Sequence, residues 1–448
     1  MLTKEKLYYL VGLIGSKTPF FVLIPILSFY FNKSEIGKID LILVTVTLSI
    51  PLISLQLGEA SFRFLKEFLN SKSKIISTAI IGLFVSAMFF LVLIMFFWVL
   101  FDFKELILYS TVFMSSFIIN NLLLIYRGLS RIKSYALLGV LSGFFSIILI
   151  ILFIDESTTL LEVSFLFGIA HLISIIISLL ESSVLRDFSF SRFNKKLIYL
   201  LLAYSLPLIP NSISWWLIDL GNRYVIKFTL GEEYLGVFAV AARYIVIVAF
   251  INSFFLLMWQ DKYLGNRFKE SDIKSDFDQF IKIQLSIVIF IISISYYLIK
   301  LGAGPEFIDS YKLVGPIALS LFFSSTSAYA GVEFLKAKKT KSLFFSTLKG
   351  GLVNVVLALI LVNFFGLYGV VFSSMVGFLT TFYLRVKDSQ NLKLMYKKIE
   401  KKLYLAISVM SLVYIIQLYE SSIATLATII IVFSGLLYWN KKIILNIL

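Results

Sequence analysis

Uninterrupted apolar runs of about 20 residues recur along the whole sequence, and each is long enough to cross a bilayer as a helix. The chain is 59% hydrophobic over 448 residues, with a mean hydropathy of +0.94, which is far above that of soluble globular proteins. The runs are too continuous for the roughly ten-residue alternating strands of a membrane barrel. We therefore predict an all-α polytopic membrane protein.

The apolar runs define about 14 predicted transmembrane helices. They cover residues 7–31, 39–62, 75–101, 106–126, 135–154, 160–184, 197–228, 237–259, 277–301, 311–333, 342–363, 368–386, 403–418 and 423–439. The first run is of span length and is not followed by a small-residue cleavage site, so we expect it to remain as a signal anchor.

The net charge of +15 is distributed unevenly among the predicted loops. Loops rich in lysine and arginine alternate with loops that are neutral or acidic, which is the positive-inside pattern of a plasma membrane protein. Both termini fall on the basic side. We therefore expect a bacterial inner-membrane protein with cytoplasmic termini, and we expect no nucleic-acid partner.

Several kinds of active site are disfavoured by composition. The chain has no cysteine and one histidine, His171, so disulfides and thiolate metal sites are excluded, and a histidine-based metal site is disfavoured. No phosphate-binding GxxxxGK[ST] motif is present. We expect neither a cofactor nor a metal, and we interpret His171 as a packing residue, with a proton relay as the alternative.

An internal repeat is indicated by two alignments about 200 residues apart. Residues 131–153 align with 339–361, matching Gly143 with Gly351, and residues 34–44 align with 233–243. The alternative is chance similarity between apolar helices. The repeat predicts a six-helix lobe (1–185), a cytosolic linker (186–196), a second six-helix lobe (197–386), an amphipathic linker on the anionic inner leaflet (387–402) and two additional spans (403–448).

Charged residues inside predicted spans cost several kcal/mol by insertion scales, so each needs an explanation. Those near span ends are interpreted as snorkelling to the headgroups. This group contains Asp40, Glu59, Arg63, Lys300, Lys312, Glu333 and Arg385. Four cations lie deeper: Lys17, Arg223, Arg243 and Lys349. They either pair with acidic residues to hold the lobes together or line a water-filled central cavity that takes an anionic headgroup.

The segment WWLIDLGNRYVIK places Asp219, Arg223 and Lys227 at intervals of four. Residues four apart share one face of a helix, so we expect Asp219 to pair with Arg223, and Asn211 and Trp215 to extend the same stripe. Lys227 either joins this stripe or snorkels to the interface.

The run 197–228 is too long for one straight crossing. We expect Pro207 and Pro210 to break it. Arginine suits a diphosphate because its planar fork donates two parallel hydrogen bonds.

The segment PLIPNSISWWLIDLGNRYVIKFTLGEEYLGVFAVAARY (207–244) and the turn GLYGVVFSS (366–374) resemble Wzx-type polysaccharide flippases of the multidrug/oligosaccharidyl-lipid/polysaccharide (MOP) superfamily. One departure is Asn222, because the family often has an acid immediately before the arginine. The resemblance implies two six-helix bundles around a V-shaped cavity. It also implies transfer of an undecaprenyl-diphosphate-linked O-antigen, capsule or lipopolysaccharide repeat unit to the outer leaflet. We expect a monomer that works beside a polymerase and glycosyltransferases.

Two other function classes remain as alternatives. A multidrug cation exporter of the same superfamily is expected to carry carboxylates in its central helices, whereas this chain carries Lys17 there. A membrane polysaccharide polymerase or glycosyltransferase usually needs a sizeable outer loop with catalytic groups, whereas every predicted outer loop here is short.

Overall fold

The computed structural model describes Gly12, Gly15 and residues 22–418, except 102–104, 183, 265–269 and 337–338. All regular structure in this part of the chain is helical. Apart from a single helical turn at Val184–Asp187, the α-helices are α1 (Lys33–Ile53), α2 (Leu57–Glu67), α3 (Lys72–Phe101), α4 (Glu105–Gly128), α5 (Ile132–Phe153), α6 (Leu160–Ser182), α7 (Lys195–Ser205), α8 (Leu208–Asp219), α9 (Asn222–Thr229), α10 (Glu232–Leu264), α11 (Glu270–Gly302), α12 (Tyr311–Lys336), α13 (Thr340–Asp388) and α14 (Gln390–Leu418).

Eight described helices are long and apolar enough to cross a membrane. The protein is therefore a multi-pass membrane protein, as its apolar runs predict. Most of the first predicted span, including Lys17, and the whole of the last one lie outside the described residues.

The predicted span 39–62 is divided in two. Helix α1 ends at Ile53 and α2 begins at Leu57, because Leu55 and Gln56 adopt left-handed conformations with φ of 48° and 56°. The Gln56 side chain donates a hydrogen bond of 2.8 Å to the Ser212 hydroxyl on α8. This contact holds the break in place.

Helix α13 contains two arms, 340–365 and 367–388, which match the predicted spans 342–363 and 368–386. Gly366 separates the arms with φ 54° and ψ −133°, a conformation open to glycine alone. The arms run antiparallel, since a side chain on Gly350 would meet Thr381 and the Gly377 carbonyl. The turn GLYGVV is therefore a helical hairpin connection.

Residues 390–402 do not form a separate surface helix. They continue without interruption into 403–418 as the single helix α14. The segment contains no glycine or proline, and its lysines and leucines are good helix formers, so nothing in the sequence ends the helix at residue 402.

Contacts divide the chain into two compact units. The first contains residues 38–213, and the second contains residues 24–37 and those from Ser214 onwards. In the first unit, α4 and α6 meet through buried polar residues. The Tyr126 hydroxyl lies 3.0 Å from that of Ser178, and buried His171 packs against Phe167 with ring centroids 4.2 Å apart. This is the packing role predicted for His171.

In the second unit, the beginnings of α1 and α10 cross closely and reciprocally. A side chain on Gly37 would overlap the Glu232 carbonyl, and one on Gly236 would overlap the Lys33 carbonyl. Ser34 also donates a hydrogen bond of 3.0 Å to the Glu232 carboxylate. Gly37 and Gly236 correspond in the second repeat alignment, and Lys33 and Glu232 immediately precede its two segments. The symmetry of the two halves stays a prediction.

Candidate functional site

The segment singled out by its charges contains a helix interruption. Helix α8 ends at Asp219 and α9 begins at Asn222. The Gly221 amide bonds back to the Trp216 carbonyl at 2.9 Å, and the Arg223 amide bonds to the Leu220 carbonyl at 3.2 Å, so the regular four-residue ladder is lost. The prediction of one continuous stripe is therefore wrong. The Asp219 side chain lies outside the described part of the structure.

A single glycine gives the physical reason for this interruption. A side chain at Gly221 would lie 2.8 Å from the Leu217 carbonyl oxygen. Only glycine lets the backbone tighten at this point without a clash. The two prolines account for the earlier break, between α7 and α8, where α7 ends at Ser205 and α8 begins at Leu208.

Two buried asparagines fill the space beside the interruption. The Asn354 amide donates to the carbonyls of Leu217 at 3.2 Å and Ile218 at 3.3 Å, and to the Asn222 side-chain oxygen at 3.1 Å. These carbonyls belong to the last turn of α8, where intrahelical partners are missing. The first arm of α13 thus supplies the hydrogen bonds that the broken helix lacks.

The second arm of α13 joins the same cluster. The Asn222 amide donates to the Val370 carbonyl at 3.2 Å and to the Ser374 hydroxyl. Asn222 and Asn354 are 2% and 0% exposed, respectively. Burying an amide in a membrane protein is costly unless it is hydrogen-bonded, so the α8–α9 break and both arms of α13 form one polar core in the second unit.

Arg223 and Arg243 are both buried, as expected for deep cations. Arg223 is on α9, and its guanidinium lies 5.2 Å from the centre of the Phe238 ring on α10. Each arginine is 7% exposed. The aromatic face stabilises the guanidinium charge where water is scarce.

The interpretation of Arg385 as a snorkelling residue is wrong. Its side chain is 0% exposed. The guanidinium donates to the Thr347 hydroxyl at 2.8 Å, to the Ser346 hydroxyl at 3.2 Å and to the Ser327 carbonyl. It also lies over the ring of Trp215, a predicted site residue, at 5.6 Å. Helix α12 and the first arm of α13 cover the end of the second arm, so proximity to the helix end does not bring Arg385 to the surface.

The interpretation of Asp40 as a snorkelling residue is wrong as well. The side chain is 0% exposed, because it lies on the packed face of α1 two turns after its first residue.

The remaining predicted residues lie apart from this core. Lys227 forms an ion pair of 3.5 Å with Glu232. Lys349 is exposed on the face of α13 that also exposes the large apolar side chains of Phe345 and Leu352. Asn211 is half-buried on α8, in the first unit.

The sign of the buried charge decides which ligands suit the second unit. Among the described residues, the formally charged side chains that are buried are Asp40, Arg223, Arg243 and Arg385, and all three arginines belong to the second unit. Arg385 is held by hydroxyls, a carbonyl and an aromatic ring, and its guanidinium charge gives a positive potential, which attracts anions.

Sequence reasoning missed Asn354 and Arg385. Asn354 could have been found from the sequence, because it is an amide in the middle of an apolar run and follows Gly350 and Gly351 by about one helical turn. For Arg385 no local signal exists, because its partners Ser327, Ser346 and Thr347 are about 38 to 58 residues away in the chain.

Comparison of the structure with solved structures finds similar folds. The lipid II flippase MurJ in an inward closed conformation matches with a TM-score of 0.66 at 15% identity over 98% of both chains. An inward-facing multidrug resistance MATE transporter of the MOP superfamily matches with a TM-score of 0.63 at 14% identity, over 89% of this chain and 96% of that one.

A third match is a MOP-superfamily transporter from Pyrococcus furiosus, described as having a binding pocket of reversed polarity. Its TM-score is 0.60 at 16% identity, over 86% of this chain and 95% of the other. No protein-family model and no curated protein matches the sequence. The chain therefore has the fold shared by MATE transporters and the MurJ flippase.

Proposed function

We propose that the protein is a flippase that moves an undecaprenyl-diphosphate-linked oligosaccharide, the repeat unit of a surface polysaccharide, from the inner to the outer leaflet. The observation that carries the proposal is the set of buried arginines in the second unit, Arg223, Arg243 and Arg385. A diphosphate is recognised best by guanidinium groups, whereas a cationic drug would be repelled by them.

The fold comparison supports the same proposal. MurJ is a flippase for lipid II, and its similarity covers 98% of this chain. A flippase must shield a sugar-diphosphate headgroup from hydrocarbon while the polyprenyl tail stays in lipid. Rocking of two helical units around a central polar site is an established way to give such a headgroup alternating access.

A multidrug exporter is the second candidate, because MATE transporters share the fold. It would move a cation by the same rocking motion. The buried arginines favour the first candidate, and transport of a cationic dye would favour the second.

The cationic site is tested in cells that lack the native gene. Arg223→Ala and Lys17→Ala should each abolish surface polysaccharide while the protein accumulates normally in the membrane. Lys341→Ala, which changes an exposed lysine at the beginning of α13, serves as the control and should leave the polymer unchanged. Normal polymer in both site variants would refute the proposed anionic substrate site.

A further inference from the structure

The segment RDFSFSRFNKK (186–196), called the linker segment below, is held rigidly against the first unit. The Ser189 amide donates to the Ser77 hydroxyl at 3.0 Å, and the Asn194 amide donates to the Thr78 hydroxyl at 3.1 Å. Both hydroxyl residues are fully buried. The linker segment is therefore a fixed surface feature and not a loose tether.

Ion pairs hold the beginning of the linker segment. The Asp187 carboxylate lies 3.2 Å from the Lys72 ammonium and 2.9 Å from the Arg131 guanidinium. These two cations stand at the beginnings of α3 and α5. These ion pairs neutralise the charge of Asp187, which is the only acid among residues 186–196.

The hydrogen bonds also fix the depth of the linker segment. Ser77 and Thr78 follow Lys72 by five and six residues, so they lie roughly 8 Å along α3 at 1.5 Å per residue. Helix α3 is one of the helices that can span a membrane. The headgroup layer adds about 5 to 8 Å on each side of the hydrocarbon core. A membrane boundary at Lys72, the first residue of this candidate span, puts the linker segment beside α3 at the depth of the lipid headgroups.

The outer face of the linker segment combines aromatic rings with positive charge. Phe190 is 76% exposed and Phe193 is 43% exposed. Four cations are exposed around them: Arg186, Arg192, Lys195 and Lys196. Aromatic rings at headgroup depth partition into the interface, and basic side chains there attract anionic lipids.

We propose that the linker segment is an interfacial anchor that binds anionic phospholipid headgroups. Phe190 and Phe193 insert between the headgroups, and the four cations contact the lipid phosphates. A partner protein is the less suitable occupant, because the rings lie beside a spanning helix at lipid depth. The anchor fixes the first unit against one leaflet, whatever the transported substrate.

The chain has no cysteine, so a single reporter can be placed at Phe190→Cys. This variant, labelled with an environment-sensitive fluorophore, is reconstituted in nanodiscs of phosphatidylcholine with or without phosphatidylglycerol. When phosphatidylglycerol is present, the emission should shift to the blue. Nitroxide lipids labelled at the headgroup should then quench it several-fold more than in phosphatidylcholine alone. A water-like emission in both lipids, which is also the outcome for a surface that awaits a protein partner, would overturn the proposal.

Charge variants in the same labelled background separate specific binding from general attraction. Replacing Arg186, Arg192, Lys195 and Lys196 with Gln should remove the phosphatidylglycerol dependence. The matched control replaces four other exposed lysines, Lys339, Lys341, Lys387 and Lys393, with Gln and should keep it. An equal loss in both variants would contradict the anchor, and size-exclusion profiles verify that both remain folded.

Discussion

At the scale of single residues, the second unit places arginine where a membrane protein would be expected to avoid charge. Arg385 is fully buried, and its partners in the described structure are hydroxyls, a carbonyl and the Trp215 ring. Four hydrogen bonds from the guanidinium reach α12 and the first arm of α13 and so bind the second arm to both. The side chain therefore holds helices together and also contributes to the positive potential of the second unit.

Replacement of Arg385 should be strongly destabilising. Arg385→Ala leaves a large cavity and buried acceptors without donors, so we expect a loss of about 3 kcal/mol. Arg385→Lys should not restore stability, since an ammonium cannot reproduce the planar fork. The measurement is thermal unfolding in detergent. Lys387→Ala, which alters an exposed neighbour, is the control, and an equal melting temperature for the Arg385 and Lys387 alanine variants would refute this role.

At the scale of the helical elements, the interruption between α8 and α9 depends on a side chain from another helix. Asn354→Ala would remove the donors that satisfy the Leu217 and Ile218 carbonyls. Leaving buried acceptors unpaired costs about 1 to 3 kcal/mol. We expect a lower melting temperature and faster hydrogen exchange in residues 217–226.

Asn363→Ala is the matched control for this prediction. Asn363 is on the same element, and its amide donates to the Leu359 carbonyl at 2.9 Å, but it is exposed. Its loss should therefore have little effect. If hydrogen exchange near residue 220 were the same in the two variants, Asn354 would not support the helix break.

Helix interruptions differ in how far the sequence predicts them. Proline identifies the break near Pro207 because it removes a backbone donor, and Gly366 stands in a recognisable turn. Gly221 gives no such signal, since a lone glycine is tolerated within a helix. The hydrogen bonds that satisfy the broken helix come from Asn354, which is over 130 residues away. Arg385 illustrates the same limit, because packing by distant helices decides its burial.

At the scale of the whole molecule, apolar run length was sufficient to predict a helical membrane fold. Solvent-facing polarity does not guide packing in lipid, so hydropathy predicts where helices lie better than which faces meet. The charged residues within the spans indicated a site for an anionic headgroup. The buried arginines Arg223 and Arg243 were identified from the sequence, whereas the polar core around Asn222 and Asn354 required the structure.

The most direct test of the central claim is translocation in proteoliposomes. Fluorescent undecaprenyl-diphosphate oligosaccharide is incorporated into both leaflets, and a membrane-impermeant reductant is added outside. With the wild-type protein the label in both leaflets should be bleached, whereas with Arg223→Ala the inner-leaflet label should stay protected, as in protein-free vesicles. If the inner label stayed protected with the wild-type protein while a cationic dye crossed the membrane, the flippase proposal would be contradicted.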